Sequence, residues 1–110
     1  MSRMRQAVLA IALFGTALEA SAAATFEERI AALKKGQPKA IASLIDRIAD
    51  CQHWSGEEPY DAERAKEMAA AMSRLRCDRL ETDEAQVRKH YAREPKVALA
   101  LNELKRLLDE

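Results

Sequence analysis

The residues that could do chemistry are gathered in one stretch, Cys51-Gln52-His53-Trp54-Ser55-Gly56-Glu57-Glu58-Pro59-Tyr60-Asp61, with a second cysteine further on at Cys77. A metal site, a catalytic set, a disulfide and a protein-recognition surface can each be drawn from these types. Zinc asks for three or four nitrogen and sulfur donors at short, regular spacings. Cys51-x-His53 beside Glu57 and Glu58 does not supply them. Neither Cys-x-x-Cys nor His-Glu-x-x-His occurs, and His90 stands apart among Arg88, Lys89 and Arg93. No metal and no cofactor are expected. Ser55, His53 and Asp61 could be named as a triad, but they crowd one short segment and no oxyanion donor is identifiable. Glu57 and Glu58 are adjacent, and adjacent carboxylates rarely converge on one bond as a glycosidase pair must. No catalytic residue is assigned, and the chain reads as a non-enzyme.

Disulfide formation and recognition fit better. Trp54 is the only tryptophan and Tyr60 one of two tyrosines. Such rings give large contact area at small entropic cost and are enriched where interfaces are tightest. Glu57, Glu58 and Asp61 would set an acidic rim beside them, suited to a cationic partner surface. His53, Trp54, Glu57, Glu58, Tyr60 and Asp61 are therefore the candidate protein-binding residues. There are competing uses. Trp54 and Tyr60 could cover the disulfide, and the carboxylates precede a helix whose dipole favours them.

The elements that must position this stretch are helical. Met1 to Ala24 reads as a secretory signal peptide: Arg3 and Arg5, an apolar run from Ala7 to Leu18, then small residues at Ala20-Ser21-Ala22 and Ala22-Ala23-Ala24. The run is short for a bilayer span, so no stable membrane insertion is expected after cleavage. Export places Cys51 and Cys77 where disulfides persist, which favours a bridge over two thiols or half a metal site. Residues 25–110 then form a single helical domain. Thr25 and Glu28 read as a capping box, followed by Phe26, Ile30 and Leu33 at helical spacing. Gly36 stops this helix and Pro38 opens the next, which buries Ile41, Leu44, Ile45 and Ile48. Asp61 caps a long third helix with an inward stripe of Ala65, Met68, Ala69, Met72 and Leu75, continuing past Cys77 to Leu80. Thr82 or Asp83 caps a fourth, with Val87 and Tyr91 a turn apart. Pro95 starts a fifth, with Val97, Leu101, Leu104 and Leu108 inward. No stretch alternates with period two, so no strand is expected.

The expected bridge constrains the loop. A helix from Asp61 to Cys77 rises about 24 Å, so the sulfurs meet only if residues 52–60 run extended over a similar distance. That makes the loop a strap along the third helix. The 18 basic and 18 acidic side chains cancel, which argues against a nucleic-acid partner.

The block from Cys51 to Asp61, followed by Glu63-Arg64 and Leu75-Arg76-Cys77, resembles a group of short exported proteobacterial helical proteins of uncharacterised function. The likeness extends weakly through Asp83-Glu84, Tyr91, Pro95 and Val97. It implies a periplasmic helical protein and carries over no activity. The sequence as a whole reads as an all-α protein of four to five short helices stapled by Cys51–Cys77. It would be periplasmic or secreted, and would bind an envelope or secreted protein through residues 52–61, as an inhibitor or immunity protein does. The alternative is a structural or accessory subunit of an envelope complex.

Overall fold

Thr25 opens the first helix as its sequence requires. Its hydroxyl oxygen accepts from the Glu28 amide at 3.1 Å and its hydroxyl donates to the Glu28 carboxylate at 3.2 Å, satisfying an orphan donor of the first turn. A computed structural model describes residues 23–110. The expected leader, but for Ala23 and Ala24, lies outside the described residues.

Five α-helices and one 3-10 turn follow: α1 (Phe26–Lys34), α2 (Lys39–Ser55), α3 (Ala62–Leu75), the 3-10 turn Cys77–Arg79, α4 (Leu80–His90) and α5 (Pro95–Leu108). No strand occurs among the described residues, and Cys51 and Cys77 are disulfide-bonded. The architecture is thus all-α, with one covalent staple. No helix among the described residues is long and apolar enough to cross a membrane.

Gly36 turns the chain with φ +72°, a left-handed conformation that costs glycine little. Pro38 stands just before α2 rather than in its first turn, and its carbonyl accepts from Ile41 and Ala42. The turn is tied to the start of α5 in both directions. Gln37 donates to the Lys96 carbonyl and Lys96 donates to the Gly36 carbonyl, each at 3.0 Å.

The core is built by α1, α2 and α5. Ile41, Ile45, Val97, Leu101 and Leu104 are almost wholly buried, and Ile30, Ile48 and Leu107 close around them. Their spacing of three and four residues gives α2 and α5 one continuous inward stripe each. From α4, Val87 packs half-buried against this cluster, as does Tyr91 just beyond its end.

The third helix departs from expectation in two respects. Its stripe is only half-buried at Met68, Met72 and Leu75, while Ala65 and Ala69 are exposed and Ala71 is the residue buried. It contributes nothing to the main core cluster and packs on α2 and the 3-10 turn. Alanine fits either side of a helix, so its spacing alone does not fix the buried face. Also, α3 stops at Leu75, because Arg76 adopts the left-handed conformation at φ 52°. The chain then turns through Cys77–Arg79, and α4 begins at Leu80, with Thr82 and Asp83 inside its first turn rather than capping it.

Candidate functional site

The stretch from Gln52 to Asp61 is half helix and half loop. Gln52 to Ser55 form the last turn of α2, closed by the Gly56 amide on the Gln52 carbonyl at 3.0 Å. The strap expected over residues 52–60 is corrected to a shorter segment, Gly56–Asp61. These four residues lacked an apolar period because Gln52, His53 and Ser55 face solvent, and an exposed helical turn needs none. The closure argument survives in smaller form. The Cα atoms of Cys51 and Cys77 are 5.6 Å apart. The return rise of α3 is about 21 Å and the last turn of α2 supplies about 6 Å. The remainder, about 15 Å, falls on Gly56–Asp61, within the roughly 20 Å that six residues can span.

Within this frame most of the candidate residues are joined to one another. His53 and Glu57, one helical turn apart in number, approach to 3.3 Å. The second oxygen of Glu57 takes a guanidinium nitrogen of Arg64, whose other terminal nitrogen reaches Glu67 at 2.8 Å. The Arg64 guanidinium carbon lies 5.0 Å from the Trp54 ring centroid, within cation–π range. The His53 ring meets Trp54 edge-on at 5.5 Å. The hydrogen bonds that Arg64 donates to Glu67 and Glu57 raise its pKa above the ordinary value, so it stays a cation. Trp54 is half-buried beneath it.

Asp61 accepts from the Arg64 amide at 2.8 Å and is the N-cap of α3. Asp61→Ala should therefore lower stability by about 1 kcal/mol, and Asp61→Asn by much less; equal losses in urea unfolding would remove the capping role. Glu58 and Tyr60 take no part in this network. Both are exposed, Tyr60 to 81%.

The arrangement bears on the chemistry drawn from sequence. Ser55 donates to the Gln52 carbonyl at 3.1 Å, and His53 turns to Glu57, so serine and histidine are not assembled as nucleophile and base. No cluster of three or more His, Cys, Asp or Glu suited to a metal occurs among the described residues.

Two arginines that organise this region were missed in the sequence. Arg64 links Glu57, Glu67 and Trp54; its position three residues after the Asp61 cap and before Glu67 was the available signal. Arg47 links three elements at the disulfide end. It donates to the Leu75 carbonyl at 2.6 Å and the Arg76 carbonyl at 2.8 Å, and pairs with Asp83 at 2.8 Å. Its placement one turn before Cys51 puts it on the cysteine's side of α2. Its hydrogen bond holds the Asp83 carboxyl below the usual range against the effect of burial, with Arg76 and Arg79 adding to the shift. Beyond it, burial alone would raise Glu84, but Lys105 at 2.9 Å and Arg88 at 3.0 Å outweigh burial and hold it low.

No protein-family model matches the chain, and no curated protein or solved structure matches it.

Proposed function

We propose that the chain is a non-enzymatic binding protein of the cell envelope, periplasmic or secreted, that recognises another exported protein through the segment at residues 52–61. An inhibitor or immunity role fits its small stapled scaffold. The observation that carries the reading is Tyr60, a large aromatic side chain exposed on a short segment fixed at both ends. A preordered loop loses little entropy on binding. Within the loop the roles divide. Tyr60 and Glu58 make contact, while His53, Trp54, Glu57 and Asp61 hold the segment in shape through Arg64 and the α3 cap. The disulfide supports an oxidising compartment, and the apolar run at residues 7–18 supplies the route there. The resemblance to short exported proteobacterial proteins belongs to the same proposal.

Affinity capture from native envelope extract tests it, with wild-type protein beside a Glu58→Gln, Tyr60→Ala variant. The expected result is a partner held by the wild type and weakened about thirtyfold or more in the variant, the loss typical of a central aromatic anchor. Equal recovery by both would remove the loop from the interface.

A further inference from the structure

Beside α1 two clefts run into one another. The first, about 380 Å³, lies between α1 and α2 along Phe26, Ile30 and Ala49. The second, about 500 Å³, continues toward the end of α5 along Leu107 and Leu108. Phe26, Ala49 and His53 line both, so the two form one open trough. Phe26 remains 44% exposed along it. A compact small molecule needs enclosure on most sides, whereas an open trough with an apolar floor suits a length of chain.

The rim has one dominant sign. Glu27, Asp46, Asp50, Glu57 and Glu110 line the trough, with Lys34 as the only lysine or arginine among its lining residues. Asp46 is paired with Lys34 at 3.0 Å, Glu57 with Arg64, and Glu110 with Arg29 at 2.7 Å. Glu27 on α1 and Asp50 on α2 are exposed and make no ion pair among the described residues. Two unneutralised carboxylates thus border an apolar floor from two different helices.

We infer that this trough is a docking groove for a basic peptide segment of a partner protein. An apolar side chain seats against Phe26, and flanking lysine or arginine side chains meet Glu27 and Asp50. The inference rests on the reading of the chain as a binding protein, but not on its contact pair: Gln52, His53, Gly56 and Glu57 border the trough, whereas Glu58 and Tyr60 lie outside its lining.

The test is an NMR titration of the isotope-labelled protein with the acetylated peptide Lys-Leu-Lys-Lys-Leu-Lys. Its controls are Lys-Ser-Lys-Lys-Ser-Lys and Glu-Leu-Glu-Glu-Leu-Glu. Amide shifts centred on Ile30, Ala31, Ala49 and Asp50 are expected with the first peptide, and much weaker ones with either control. A Glu27→Gln, Asp50→Asn variant changes two exposed side chains and should keep its melting temperature, yet bind up to roughly tenfold more weakly. The Glu58→Gln, Tyr60→Ala variant should titrate like the wild type. Equal binding of the serine peptide would reduce the effect to loose charge attraction and overturn the proposal. So would shifts centred on Glu58 and Tyr60, an unaltered affinity in the Glu27, Asp50 variant, or no shifts at millimolar peptide. A positive titration with a failed envelope capture would sink the loop reading alone, and the reverse pair of results would sink the groove alone.

Discussion

Replacing both cysteines, Cys51→Ala with Cys77→Ala, should lower the melting temperature by roughly 15–25 °C, the largest loss expected from any change at the candidate site. The bridge spans a sequence separation of 26. Closing a loop of that length restricts the unfolded chain by about 3.5 kcal/mol in the chain-entropy model. For a domain of this size each kcal/mol corresponds to about 4–8 °C. The bridge has a second effect, set by where it lies. It joins the end of α2, which belongs to the core, to the turn after α3, which does not. Without it α3 is held by the half-buried Met68, Met72 and Leu75, by Ala71, and by the contacts of Arg47 and Arg64. Amide exchange should therefore rise first in α3 and the segment Gly56–Asp61, while Ile45 and Leu104 keep their protection. Calorimetry and exchange measured on the oxidised protein and the double variant check both statements. A melting temperature within 3 °C of the wild type would mean that α3 docks without its staple. Uniform loss of protection would mean that it folds as one unit with the core.

The same division explains what was legible in the sequence. Residues with one possible environment were readable. Ile41, Ile45, Leu101 and Leu104 are large and apolar, and their spacing names both the helix and its buried face. Thr25 and Asp61 are short acceptors ahead of a helical pattern, and both cap. Residues with two possible environments were not. Ala65 and Ala69 fit the expected stripe, but alanine is tolerated in water, and α3 leaves them there. Gln52 to Ser55 carry no apolar period because they lie on an exposed turn, so the periodicity reported burial and was silent on helicity. The end of α3 was hidden for another reason. Arginine carries no signal for the left-handed conformation that Arg76 adopts; it is held there by partners distant in sequence, the disulfide at Cys77 and the capping of two carbonyls by Arg47. The candidate site shows the same limit. Its residue types were visible, yet the division into an inner network around Arg64 and an outward pair, Glu58 and Tyr60, depends on how α2 and α3 are brought together.

Arg47→Met should cost about 2 kcal/mol at neutral pH, and the loss should shrink in acid. Methionine keeps much of the aliphatic bulk and removes the guanidinium, so packing on α2 is largely conserved. The Leu75 and Arg76 carbonyls lose their donors at the end of α3, where the helix has no partners of its own to offer. Asp83 loses the cation that holds its carboxyl below the ordinary range. A depressed carboxyl contributes stability that is fully present above its unfolded value, about 3.9, and is lost as pH falls through the folded value. In the wild type this contribution therefore declines below about pH 4. In the variant the largest part of it, that from Arg47, is absent while Arg76 and Arg79 remain, so the gap between the two unfolding free energies should narrow as pH falls below about 4 and level off at the part due to the carbonyls. Glu84 and Glu110 are held low as well, by Lys105 with Arg88 and by Arg29. They behave alike in both proteins, so the difference between them isolates Asp83. Arg47→Lys separates the two roles of the side chain. A single ammonium can meet Asp83 but cannot reach two carbonyls and a carboxylate at once; it should preserve much of the pH dependence while losing stability at neutral pH. Urea unfolding of the three proteins at a series of pH values decides the matter. A gap between wild type and Arg47→Met that stays constant down to pH 3 would show that Arg47 acts on the carbonyls alone and that its pairing with Asp83 adds nothing to stability.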